Sequence, residues 1–461
     1  MNPVQRRELL RYLATSSLLG LGCSSRKEPL ERSKPNKGEH VLVIGAGVAG
    51  LAAARALADR GVAVTVIEAR DRLGGRIHTS DALGVPLDLG AAWIHGARGN
   101  PIDKLARTLG IATRATDFDS FYLYDHDGSR VSDSDIAYIR QQFDALLVQL
   151  VQVAANLDES ALVADAFAAA LAGQSLSADE TRALEWSKAA LSLDLAEDID
   201  RLPLFAVDDD RGFGGDDLLF PGGYRQIVEH LANGLEIHAG QPVRAVEYGD
   251  ARVSVRTGTA THTGTRAVVT VPLGVLAHGD IQFDPPLPAA KSQAMAGLRM
   301  GLVNKVAVAF DKPFWPTDRH FHGYASEPPG LFPSILDGQR QLGQPILIGF
   351  IAGSRARALA DKSDQEIAGQ FMQVVKTIFG GRVTDPTGVV VTRWGRDPFS
   401  RGSYSHVAPG ATSASYDALA APVGQRLFFA GEATHREYRG TVHGAYLSGL
   451  RSADRILSMV S

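Results

Sequence analysis

An α/β fold built on a parallel, Rossmann-like sheet is what the sequence predicts, and three features of residues 40–68 carry that prediction. An apolar strand over residues 41–44 runs into the turn Gly45-Ala46-Gly47-Val48-Ala49-Gly50; a helix follows; a second strand over residues 62–67 ends at Glu68. Gly45 allows the tight turn, Gly47 lets the backbone approach a pyrophosphate, and Gly50 lets the helix pack close against the sheet. The helix N-terminus, reached through Ala49, offers free N–H groups and a partial positive charge to phosphates. Glu68 accepts hydrogen bonds from a ribose 2′-hydroxyl and would repel a 2′-phosphate. Glycines alone mark ordinary turns; strand, triplet, helix, strand and acid in this order mark a dinucleotide pocket.

The next segment, Arg70-Asp71-Arg72-Leu73-Gly74-Gly75-Arg76, is a second turn. Its paired glycines clear room, and its arginines offer bidentate phosphate donors. A nicotinamide enzyme has no need of this turn, whereas a flavin enzyme, which buries its cofactor deeply, does. Without the acid-tipped strand before it, the same loop would read as solvated and basic.

The 461 residues are 45% hydrophobic and 21% charged, with 48 glycines, a profile of a large soluble protein of two domains. A net charge of −4 excludes an overall basic field that recruits nucleic acid or anionic lipid, so the expected partner is a small molecule. Residues 1–37 form a separate unit. Arg6-Arg7 precedes a mostly apolar run over residues 12–22, too short to span a bilayer, and the pair resembles a bacterial twin-arginine export signal. The only cysteine, Cys23, follows Leu19-Gly20-Leu21-Gly22. It reads either as a lipid attachment site, which would tether a periplasmic protein to the membrane, or as an incidental residue of a cleaved signal. With one cysteine there is no intrachain disulfide. Residues 24–37 are charged and aperiodic, as a tether would be.

Further along, apolar residues at helical spacing over residues 141–171 and the composition of residues 179–195 predict a helical insertion. Pro221-Gly222-Gly223-Tyr224 opens another helix, and short strands follow near residues 243–246, 252–256 and 267–271, alternating like the sheet of a cofactor domain. Residues 302–310 are strongly strand-like. Ser363-Asp364-Gln365-Glu366 is a capping box before an amphipathic helix that stops at Gly380-Gly381. A strand is expected over residues 389–394, a buried strand over residues 427–430, and a last helix over residues 442–459.

These residues together resemble the flavin-dependent amine oxidases, in particular the polyamine oxidases and the lysine-specific histone demethylases. The resemblance covers residues 40 to 461 and rests on the turn, Glu68, Gly74-Gly75-Arg76, Gly90-Ala91-Ala92-Trp93-Ile94-His95-Gly96, Asn304-Lys305, Gly402-Ser403-Tyr404-Ser405, Gly431-Glu432-Ala433-Thr434 and Thr441-Val442-His443-Gly444-Ala445. It implies an FAD-binding Rossmann-like domain assembled from residues 38–115, 217–290 and 395–461. An α+β substrate-binding domain takes residues 116–216 and 291–394, with catalysis where the two meet. It further implies that Glu68 holds the adenosine ribose, while Arg70, Gly74, Gly75 and Arg76 lie along the phosphates. Gly90, Ala91 and Trp93 would line the isoalloxazine, with Trp394 beside it, and Val243 would meet adenine. Gly431 and Glu432 would meet the ribityl and pyrophosphate end. Thr441 and Val442 would bring a helix N-terminus to the flavin edge that becomes negative on reduction.

Lys305 is the decisive side chain for chemistry. In a period-2 strand it shares a face with Val303, Ala307 and Ala309, where burial would lower its pKa. The strand alone favours a lysine that snorkels outward or pairs with a buried acid; the resemblance instead places it bonded through water to flavin N5. His95 is implied at the substrate amine and Tyr404 as an aromatic wall, with Thr441, not a second aromatic, opposite. Asp208, Asp209 and Asp210 read equally as attractors of distant ammonium groups and as a solvated loop. The implied reaction is hydride transfer from a neutral amine, with oxygen as acceptor and peroxide as product. FAD would be held without a cysteinyl bond and without a metal. An amino-acid oxidase, for which Arg98 is the available carboxylate partner, and a non-catalytic flavin protein are the other readings.

Overall fold

The structure, a computed structural model, describes residues 38–206, 211–249 and 251–460. The export signal, the tether with Cys23, and Asp208, Asp209 and Asp210 lie outside the described residues.

The expected parallel sheet has five strands in the order Leu427–Phe429, Arg266–Val269, His40–Ile44, Ala63–Ile67 and Glu236–His238. Three distant stretches of chain therefore supply one sheet. Its central strand is buried on both faces: Val41 and Val43 belong to one apolar cluster, Leu42 and Ile44 to another. Burial on both sides is why the strand is uninterruptedly apolar. The first face is covered by helices Val48–Ala58 and Val442–Val460. These two helices approach closely, since a Cβ added to Gly449 would lie 2.2 Å from the Ala49 carbonyl oxygen.

On the other face lies a separate four-stranded sheet, ordered Thr261–Gly264, Val253–Thr257, Val243–Tyr248, Gln282–Asp284. The strands predicted between residues 243 and 271 as one series are thus split: only Arg266–Val269 joins the parallel sheet.

A six-stranded sheet carries Lys305. Its order is Gly388–Val391, Val303–Ala309, Ile346–Ala352, Ser334–Asp337, Phe321–Tyr324, Phe121–Tyr124, antiparallel except for the last pair. Helix Asp364–Phe379, begun by the predicted capping box at Ser363 and Glu366, packs Phe371 and Val375 on one face. Strand Ile346–Ala352 was not anticipated, because a run buried at every position shows no alternation.

Two boundaries differ from expectation. The helical spacing expected over residues 141–171 belongs to two helices, Asp133–Ala154 and Val163–Ala170, the first of which starts earlier. The intervening Asn156, Leu157, Asp158 and Glu159 close a turn, and the Asp165 carboxylate accepts the Leu162 N–H to start afresh. The strand expected to reach Trp394 stops at Val391.

Candidate active site

One cavity of about 730 Å³ runs from the Gly45 turn to the Lys305 sheet and on to Trp186 and Leu191 of helix Ala178–Leu195. Its first end is made of backbone. Gly45 has φ +106°, and a Cβ on Gly50 would stand 2.0 Å from the Gly45 oxygen, so both positions require glycine. Helix Val48–Ala58 starts at Gly47 with no side-chain cap, leaving its first N–H groups for a ligand; Gly47 and Ala49 line the cavity beside Gly74 and Gly75. Glu68 is buried at the end of its strand, where its oxygens accept the Ala46 N–H at 2.7 Å and the Arg70 N–H at 2.9 Å. Val243 and Gly431 also line this cavity, and the Gly431 N–H donates to Ser448 Oγ.

The arginines of the second turn are each bonded to the protein through one guanidinium nitrogen. Arg70 pairs with Asp397 at 2.7 Å and Ser400 at 2.8 Å, and Arg72 donates to the carbonyls of Leu73 and Gly75. Arg76 donates to the Ser403 carbonyl and to Glu432. The other Glu432 oxygen accepts from Ser405 Oγ at 2.6 Å and the Gly440 N–H at 3.0 Å. Each guanidinium is stapled to the protein through one terminal nitrogen and keeps further N–H groups beside the backbone donors of the turn. Arg70, Arg76 and Glu432 still form part of the wall.

The second end is made of side chains. A Cβ on Gly90 would lie 1.9 Å from the Arg76 oxygen and 3.2 Å from the Trp394 ring, which packs Gly90 and Ala91 into a thin shelf. Trp394 Nε1 donates to the Leu89 carbonyl. Under this shelf the Lys305 amine donates to the carbonyls of Asp88 and Gly90, both at 2.7 Å. It lies 5.7 Å from the Trp93 ring centroid and 5.5 Å from that of Phe350. Burial lowers its pKa to about 8, while the nearby Asp88 charge acts in the opposite sense. Of the two sequence alternatives for a buried lysine, snorkelling is excluded, and the amine bonds carbonyls, not a carboxylate.

His95 is brought to the same end by strand Trp93–Ile94, which pairs with Asp217–Leu219. Its Nδ1 lies 3.2 Å from Asp217 Oδ1, which also accepts the Gly96 N–H at 2.9 Å. A carboxylate only accepts, so Nδ1 carries the hydrogen and Nε2 is left as the acceptor. Tyr404 donates its hydroxyl to the Leu193 carbonyl, and burial raises its pKa. Thr441 is a helix cap: its Oγ1 donates to the Tyr438 carbonyl at 2.7 Å and accepts the Gly444 N–H at 2.9 Å. Helix Val442–Val460 thereby directs its N-terminus at the cavity through Thr441 and Val442.

Asp88 and Asp217 were not anticipated. Asp88 had a readable signal, a lone acid between Leu87 and Leu89 in a segment ending at Gly90. Asp217 had none, since Asp216-Asp217 after two glycines looks like any solvated pair.

The cavity fits a long dinucleotide-type cofactor: an uncapped helix N-terminus at one end, a buried carboxylate beside it, a flat shelf at the other. Comparison with known proteins agrees. The family model described as flavin containing amine oxidoreductase matches residues 48–457. Polyamine oxidase 4 of Oryza sativa subsp. japonica is 35% identical over 430 residues, 90% of this chain and 88% of that protein. Lysine-specific histone demethylase 1 homolog 1 of the same organism is 38% identical over 443 residues, 90% of this chain but only 52% of that protein. Among solved structures, wild-type putrescine oxidase bound to putrescine superposes with a TM-score of 0.75 at 22% identity, over 92% of this chain and 100% of that one.

Proposed function

The chain belongs to the flavin containing amine oxidoreductases, and from that membership we propose that it oxidises a polyamine, with oxygen as the electron acceptor and hydrogen peroxide as product. The observation that carries this reading is the chemical end of the cavity, where Lys305, His95 and Tyr404 converge beneath aromatic walls. The uncapped turn at Gly47 and Ala49 would hold the phosphates of FAD, Glu68 the ribose, and the Gly90 shelf the ring. Held there, FAD would supply the two-electron chemistry, as acceptor of a hydride from the carbon beside the amine nitrogen.

The side chains account for the rest. Only a neutral amine releases hydride, so the substrate ammonium must lose its proton on or before binding, and Nε2 of His95 is the acceptor available for it. Asp217 holds the ring and stabilises the imidazolium that results. Trp93, Phe118 and Phe350 exclude water around the α-carbon. The N-terminus of helix Val442–Val460 faces the cavity where negative charge would develop. Hydrolysis of the iminium left behind gives a carbonyl compound and a shorter amine. The residue groups assigned to cofactor and substrate domains above form part of this reading.

A methylated lysine side chain is the second substrate reading. Thr441 favours it, because a capping threonine leaves the space opposite Tyr404 less confined than two facing aromatics would. One experiment separates the readings: anaerobic bleaching of the flavin-loaded protein by polyamines, acetylated polyamines, methyl-lysine peptides, monoamines and amino acids, then admission of air. Bleaching by a polyamine and colour return with peroxide is the expected result. Bleaching only by methyl-lysine peptides or amino acids overturns it, and no bleaching by any of them favours a non-catalytic flavin protein. Export through Arg6-Arg7, with or without lipid on Cys23, is part of the proposal and is tested by fractionating the native host.

A further inference from the structure

We propose that Asp88 is the positioning residue for Lys305: the buried amine and the half-buried carboxylate form one unit in which the carboxylate sets the charge of the amine beside the cofactor. This rests on the reading of Lys305 as a functional amine. The geometry comes from both sides of one short strand, Leu87–Asp88. Its backbone carbonyl at Asp88 takes one Lys305 N–H bond, and the Gly90 carbonyl two residues on takes another. The Asp88 carboxylate is bonded elsewhere. Thr79 Oγ1 donates to it, and the Tyr224 N–H lies 3.1 Å from each of its oxygens, at the start of helix Arg225–Ala232.

Every neighbour narrows the system to these two groups. Around the amine, Trp93 and Phe350 are uncharged rings, Thr392 bonds the Lys305 backbone, and Asp88 is the charge that acts on it. Around the carboxylate stand Thr79, the buried Tyr224 and the Arg225 guanidinium, which is itself paired with Asp81. Of the two cations that act on the carboxylate, Arg225 is engaged by Asp81, which leaves Lys305 as the one that lines the cavity. Burial raises the Asp88 pKa to about 6, opposed by Thr79, Tyr224 and Lys305, and lowers that of Lys305 to about 8. Between those values both are charged. Outside them one proton collapses the pair, and coupled sites of this kind titrate as a unit.

The test uses the flavin-loaded full chain and two readouts independent of turnover. Infrared difference spectra across acid pH follow the carbonyl band of a buried protonated carboxyl, and the flavin absorption spectrum across alkaline pH follows the amine. Removing Asp88→Asn should abolish the band and move the alkaline transition to lower pH by about one unit or more. In Lys305→Met the carboxyl band should persist to a pH higher by a similar margin, because the opposite charge that favours ionisation is gone. Thr79→Val, which removes one hydrogen bond to the carboxylate, should shift the band the same way and leave Lys305 in place. Midpoints unmoved in the partner's variant overturn the proposal. If Asp88→Asn does not fold, the Lys305→Met and Thr79→Val arms decide alone. If the coupling is present but no amine reduces the flavin, the functional reading fails and the pair stands.

Discussion

The two ends of the cavity are built from different materials. The phosphate end is backbone: glycines where a Cβ would collide, free N–H groups of one helix, and a carboxylate tied to the N–H groups of Ala46 and Arg70. The chemical end is side chains from separate elements, Trp93 from one strand and His95 just after it, Asp217 from another, Lys305 from a different sheet and Tyr404 from far along the chain. A backbone site tolerates nothing but its own geometry, whereas a side-chain site can be altered one function at a time. Variants at the two ends should therefore fail in different ways.

The widest separation is expected from Lys305→Met, which should lower turnover by about a hundredfold or more while FAD content stays near stoichiometric. Loss of cofactor with the activity would mean that the ends are not separable. The same variant has a pH signature. Between about 8 and the free-lysine value of 10.5 the folded amine is neutral and the unfolded one protonated, so raising the pH strips protons only from the unfolded chain and stabilises the fold. Wild type should gain on Lys305→Met in melting temperature as the pH climbs through that window.

Glu68→Ala is the converse. It removes the acceptor for the Ala46 and Arg70 N–H groups, and should weaken FAD retention by about 2 kcal/mol, roughly thirtyfold, measured by dialysis or titration of the apoprotein. The protein that does hold FAD should turn over normally. A more local effect is expected of Asp217→Asn: about a tenfold loss in kcat/KM, because the His95 ring loses the carboxylate that holds it. An unchanged kcat/KM would remove His95 from proton handling. Smallest of all, Thr441→Ala should cost about 1 kcal/mol of stability through the lost cap, with little change in substrate preference; a marked change in preference would make Thr441 part of the substrate wall.

The same contrast explains what was legible in the sequence. Gly45, Gly47, Gly50 and Glu68 could be read because a backbone site is local, and its spacing is its geometry. The break between the two helices at residues 133–170 was not legible because apolar spacing continues across a turn made by local hydrogen bonds. Strand Ile346–Ala352 was invisible because it is buried on both faces. The protein acceptors of Arg70 and Arg76, Asp397 and Glu432, were not legible because they lie more than three hundred positions away. Asp217 reaches His95 only through the pairing of two short strands, which no local pattern encodes.

The contact of Gly449 with the Ala49 carbonyl has a consequence in time. The turn at residues 45–50 is made before the helix that backs it, Val442–Val460. At ordinary translation speeds the two are made on the order of tens of seconds apart. Through that interval the nascent chain has a fingerprint and no backing helix. Retention of FAD thus waits for synthesis of residues 442–460, and a chain truncated before residue 442 should not keep its cofactor.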